Sequence, residues 1–219
     1  VKAVGNSTLI RILSDMSDGL AVGSNKGRRT KMTVYLIGDS VRLASEPYTR
    51  AALPEAEIVS PSENCRLSHD VLEHIGQWTE GATVGDIIHI NCGLHDIRHN
   101  QGCNESVADI ETYRNNLIQI FDYLKQTGAK IIWASSTPFL ESVHNIVKPS
   151  RRYLADFKAY NRVAEDLARQ YGFAVNDLYS LMFEQDLTDV MLCDGLHFNE
   201  FGSKMIGEAV AEAILKQMD

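Results

Sequence analysis

The sequence predicts an α/β fold in which a parallel sheet is covered by helices on both faces. From residue 32 onward, short β-branched runs alternate with amphipathic helical stretches. Three of these runs, around Leu36, Ile88 and Ile132, are almost wholly apolar, as strands buried on both sides are. The stretches between them repeat apolar residues at three- and four-residue steps, the period of a helix with one buried face.

Taken in order, the strand candidates are 33–37, 57–60, 86–91, 130–135 and 173–176. Ile110, Tyr113, Leu117, Ile120, Phe121 and Leu124 form one apolar stripe on a helix that Gly128 terminates. Similar stripes cover 154–171 and the closing segment, where Phe201, Met205, Ile206, Val210, Ala213 and Ile214 share a face. Residues 1–31 do not follow this rhythm: Thr8 to Leu13 reads as a strand, then Gly19, Gly23, Ser24, Asn25 and Gly27 read as turns. The expected organisation is an N-terminal extension or edge hairpin at 1–31 and one α/β domain at 32–219.

Composition narrows the function classes. A chain of 219 residues fits one domain, and 44% hydrophobic with 23% charged residues is a globular profile. The net charge of −8 disfavours nucleic acid and anionic lipid as partners, and the basic clusters 26–31 and Arg151, Arg152 read as solvated. Four irregularly spaced cysteines without a CxxC pair suggest free thiols. No run reaches the roughly eighteen apolar residues of a membrane span, and 1–31 lacks a signal-peptide pattern, so a cytoplasmic location is expected.

Chemistry concentrates in two segments. Gly38-Asp39-Ser40 follows the first strand, at the carboxyl edge where open parallel sheets gather ligands, and the Ser40 N–H is placed to open a helix that favours developing negative charge. Asp194-Gly195-Leu196-His197 precedes the last helix, and a carboxylate three residues before an imidazole can fold back onto its Nδ1, freeing Nε2 to take a proton. Either segment alone has a simpler reading as a cap or turn. Together they supply a serine, a base to activate it and an acid to orient the base. The GxSxG elbow of α/β-hydrolases is absent, so that fold is not the template.

These residues, with Gly93-Leu94-His95-Asp96 after the third strand, resemble the SGNH hydrolases, also called the GDSL family of esterases and lipases. The likeness covers 32 to the C-terminus. It implies a three-layer α/β/α sandwich with a five-stranded parallel sheet in a flavodoxin-like arrangement. Ser40 is then the nucleophile, and Asp194 and His197 complete a triad. The family's oxyanion hole joins the serine N–H, a glycine N–H and an asparagine side chain. Here Arg66 stands for the glycine and His95 for the asparagine, giving Ser40, Arg66 and His95 as expected donors, provided Arg66 does not need positive φ. Asp39 is a candidate for a supporting contact, and Asn91 for a supporting contact or a substitute amide donor, with a strand-end turn as its simpler and favoured reading.

No cofactor is expected. A metal at His89, His95, His99 and Asp96 is disfavoured because His89 falls inside a strand. The segment 136–152 reads as a long loop that shapes a substrate wall, where Phe139 and, from elsewhere, Tyr48 serve either as sugar platforms or as local core. His69, His74 and His144 read as surface or partly buried. The resulting expectation is hydrolysis of a short acyl ester of a carbohydrate or other polar alcohol through an acyl-enzyme. The competing readings are an impaired relative that binds an acylated ligand, and a flavodoxin-like nucleotide or signalling module.

Overall fold

The structure, a computed structural model, describes residues 32–218, so the expected extension or hairpin at 1–31 lies outside the described residues. Five strands, β1 (Thr33–Ile37), β2 (Glu57–Val59), β3 (Ile87–Ile90), β4 (Lys130–Ala134) and β5 (Ala174–Asn176), form one parallel sheet ordered β2-β1-β3-β4-β5. This is the flavodoxin-like order, and the chain reverses direction across the sheet between β1 and β3, where such folds open a crevice. β1 and β3 are buried along their whole length, which explains their unbroken apolar character.

The helices are α1 (Ser40–Ala52), α2 (Ser68–Trp78), α3 (Ile110–Thr127), α4 (Glu141–Val147), α5 (Leu154–Gln170), α6 (Leu178–Phe183), α7 (Leu187–Val190) and α8 (Glu200–Leu215). α1 packs on α8, while α3 packs between α2 and α5, so the sheet is the middle of three layers. The stripe on α3 is buried as expected, with Phe121 edge-on to Trp133, Tyr171 and Phe173, and Gly128 ends the helix in the left-handed region at φ 75°.

Close packing of α1 on α8 brings the ends of the chain's functional segments together. A Cβ on Gly207 would lie 2.5 Å from the Ser45 carbonyl and 2.7 Å from the Tyr48 Cβ, so only glycine permits this approach. Thr49 Oγ1 donates to the Gly207 carbonyl across the same seam at 3.0 Å. Tyr48 thereby stands at a helix–helix contact.

Several expectations change. The segment 136–152 contains the two-turn helix α4, and His144 on it is buried, as is Phe139. Phe201 does not join the buried stripe of α8 but stands 62% exposed in its first turn. Arg152 is not solvated: it is 3% exposed. All four cysteines are free, and among the described residues no helix is long and apolar enough to cross a membrane.

Candidate active site

Asp39 caps α1, its Oδ1 accepting the Val41 N–H at 2.9 Å, so the helix starts at Ser40 and the Ser40 N–H points out of its end without an acceptor among the described residues. Arg42, in the first turn, is buried and ties the following loop to this helix. Its guanidinium donates to the carbonyls of Pro61 at 2.9 Å and Glu63 at 2.7 Å and to Glu46 at 2.8 Å. The Cys65 N–H donates to the Gly38 carbonyl, completing the loop's attachment beside Ser40.

The segment after β3 is fixed from below. Asp96 is fully buried and accepts from the Ser68 N–H and hydroxyl at the start of α2, while Asn116 donates to that same hydroxyl at 2.9 Å. Burial pushes its carboxyl up to about 6, against these hydrogen bonds. The clamp holds His95, the preceding residue, at the rim of the crevice.

The segment before α8 closes on itself through the Leu192 N–H to the His197 carbonyl and the Met191–Phe198 bridge. Gly195 turns it at φ 66°, and a Cβ there would sit 2.9 Å from the Val143 Cβ, so the turn needs glycine for both conformation and contact. The Leu140 N–H donates to the Gly195 carbonyl at 2.8 Å, anchoring the turn to α4.

Ser40, His197 and Asp194 meet in one line. Ser40 Oγ lies 2.9 Å from His197 Nε2, and His197 Nδ1 lies 2.6 Å from Asp194 Oδ2. Asp194 Oδ1 accepts the Leu196 and His197 N–H groups at 3.1 and 3.0 Å. Partial burial raises the Asp194 carboxyl, but the His197 N–H and ring and the Leu196 N–H more than reverse this and hold it well below the usual carboxylate range. An ionised carboxylate only accepts, so Nδ1 carries the proton and Nε2 offers its lone pair to the Ser40 hydroxyl. Lys148 Nζ adds a contact to Asp194 Oδ2 at 3.4 Å.

A crevice of about 270 Å³ runs past this line and is lined further by Asn64, His95, Arg98, Lys148 and Arg152. Burial lowers the His95 pKa; Asp39 opposes it, and Arg152, Arg98 and Arg66 add to it. The ring is therefore held neutral, with one N–H to donate.

Arg66 departs from expectation. It is the only non-glycine among the described residues at positive φ, 53°, and its N–H donates to Asn64 Oδ1 at 2.9 Å. That N–H is engaged in an Asx turn and is not offered to the crevice. The acceptor role of Oδ1 fixes the amide orientation, so Asn64 Nδ2 is left without a partner among the described residues in a residue that lines the crevice. Asn91 is likewise committed elsewhere, Nδ2 donating to the Ala134 carbonyl at 2.8 Å and bracing β3 on β4. Of the four residues weighed as a metal group, His89 is engaged with Asn176, His99 with Asp156 and Asp96 with Ser68, while His95 lines the crevice.

A serine and an imidazole meeting over the β1/β3 crevice of a flavodoxin-like sheet is an architecture of acylhydrolases. Residues 48–205 match the GDSL-like Lipase/Acylhydrolase family, and the chain belongs to that family. The GDSL esterase/lipase WDL1 of Oryza sativa subsp. japonica is 28% identical over 129 residues, covering 55% of this chain and 49% of the relative, so the chain spans about half the length of the curated relative it matches. Among solved structures, the acetyl xylan esterase AlAXEase superposes with a TM-score of 0.70 at 13% identity, covering 84% of this chain and 100% of that one. A lipase/acylhydrolase from Enterococcus faecalis gives 0.63 at 18% identity over 86% and 97% of the two chains. The acetylxylan esterase from Geobacillus stearothermophilus gives 0.64 at 15% identity over 84% and 94%. The family and the fold therefore agree with the resemblance read from the sequence.

Proposed function

We propose that the chain is a serine ester hydrolase acting by two-step acyl transfer. The observation that carries this reading is the continuous line from Ser40 Oγ through His197 to Asp194, with contacts of 2.9 and 2.6 Å. His197 Nε2 takes the Ser40 proton as Oγ bonds to the ester carbonyl carbon, and Asp194 stabilises the imidazolium. The tetrahedral intermediate collapses when His197 returns the proton to the departing alcohol. Water, deprotonated by the same nitrogen, then cleaves the acyl-enzyme and restores Ser40.

The oxyanion is held by the Ser40 N–H at the start of α1, the neutral His95 ring and the Asn64 amide. Asn64 replaces Arg66 in this role because the Arg66 N–H is already engaged. The substrate is a short acyl ester of a polar alcohol, a reading supported by a crevice lined by Asn64, Ser150, His95 and charged side chains. A panel of p-nitrophenyl esters from acetate to palmitate tests both parts. Turnover should be fastest for acetate and absent in Ser40→Ala; fastest turnover of palmitate would refute the short acyl group, and a fully active Ser40→Ala would refute the mechanism.

A further inference from the structure

The chain carries a net charge of −8, yet the crevice beside Ser40 is lined by three cations, Arg98, Lys148 and Arg152, and by one carboxylate, Asp39. Lys148 has an acidic partner in Asp194. The two arginines have none among the described residues. Arg152, 3% exposed, donates Nε to the Leu94 carbonyl at 2.7 Å and Nη1 to His144 Nε2 at 2.8 Å, both neutral acceptors, and its Nη2 has no partner among the described residues. Arg98 makes no side-chain hydrogen bond among the described residues, and its Nε is buried.

Burying one guanidinium without a counter-charge is unfavourable, and setting a second beside it adds repulsion. Burial, followed by the proximity of Arg98, lowers the Arg152 pKa to about 10, although the Asp39 and Asp194 carboxylates, neither of them paired with it, act the other way. A fold tolerates such a pair where a ligand completes it, and a guanidinium fork matches the two oxygens of a carboxylate. Both arginines belong to the segments that form the crevice: Arg98 follows the Asp96 clamp, and Arg152 is held by Leu94 and by His144 of α4.

Resting on the hydrolase reading for its place in the reaction, we propose that Arg98 and Arg152 form a carboxylate-binding subsite, and that the ester cleaved at Ser40 carries a free carboxylate on its alcohol or acyl part. A hexuronate ester and a dicarboxylic half-ester are the two simplest forms. The subsite determines which ester is bound, while Ser40 and His197 perform the chemistry on any ester that reaches them.

The test measures binding to the full-length Ser40→Ala protein by calorimetry, so that its result does not depend on turnover. Glucuronate is compared with glucose and succinate with butanediol. At least one anion should bind at least tenfold more tightly than its uncharged counterpart, and the preference should shrink as salt is raised. Arg98→Gln in the same background should remove the preference, with the thermal midpoint checking that the variant is folded. Should Arg98→Gln fail to fold, Arg98→Lys, which keeps the charge and loses the fork, should weaken the anion severalfold. Equal binding or no binding of all four probes, sulfate outcompeting both carboxylates, or a preference that survives Arg98→Gln would overturn the proposal. Loss of the hydrolase reading would show separately, as failure of wild-type protein to cleave any ester while the anion preference in Ser40→Ala remains.

Discussion

Asp194→Asn is the substitution whose outcome the geometry specifies most closely. Asp194 uses Oδ1 for the N–H groups of Leu196 and His197 at 3.1 and 3.0 Å and Oδ2 for His197 Nδ1 at 2.6 Å. An asparagine must keep its oxygen toward the two backbone donors, since an NH₂ there would face N–H groups. Its amide nitrogen then faces the ring and donates to Nδ1, which moves the ring proton to Nε2 and leaves nothing to accept the Ser40 proton. A wrong tautomer of this kind costs on the order of 10⁴ in kcat, or about 5.5 kcal/mol of transition-state stabilisation. Because the backbone contacts are kept, the thermal midpoint should change little. Steady-state hydrolysis of p-nitrophenyl acetate measures the loss; a fall in kcat of less than tenfold would refute the assignment of Asp194 as the group that sets the tautomer.

Other expectations concern the oxyanion donors and the supporting framework. His95→Ala and Asn64→Ala should each lower kcat by about a hundred- to a thousandfold, whereas His95→Asn should retain or raise it, all read in the same ester assay. Arg66→Gly should stabilise the fold by up to roughly 1 kcal/mol in urea unfolding, because it removes left-handed strain from a residue with a Cβ; destabilisation beyond that size would contradict the assigned turn. Asp96 has a carboxyl raised from 3.8 to about 6 by burial. The folded state therefore holds this proton more tightly than the unfolded chain, and the associated stability, about 3 kcal/mol, is fully present below pH 4 and lost as pH rises through 6. Asp96→Asn should flatten the fall in stability between pH 4 and 7, and an unchanged slope would show that another group titrates.

Much of this arrangement is legible in the sequence because it is local or periodic. β1 and β3 read as buried strands since both faces are covered, and the stripe on α3 needs only a 3.6-residue period. The two segments bearing Ser40 and His197 are short enough for each residue type to suggest its task. What escaped depends on distant partners. α4 spans only Glu141–Val147, too few residues for a clear period, and the burial of His144 arises from Arg152 and Phe139. Arg152 reads as solvated because its sequence neighbours are polar; its concealment comes from Leu94, 58 residues away. The Arg66 turn had a local signal, an asparagine two residues before it, but the same spacing also suits an N–H left free for substrate. Asn64 and Arg98 gain their candidate roles only when three loops converge.

In the proposed mechanism His197 makes the Ser40 hydroxyl a nucleophile. Reaction of the intact protein with a fluorophosphonate, followed by peptide mass spectrometry, reads this directly: a single adduct should form on Ser40, and it should form at least a hundredfold more slowly in a folded His197→Ala variant. An unmodified Ser40 in native protein, or labelling at the same rate without the imidazole, would contradict it.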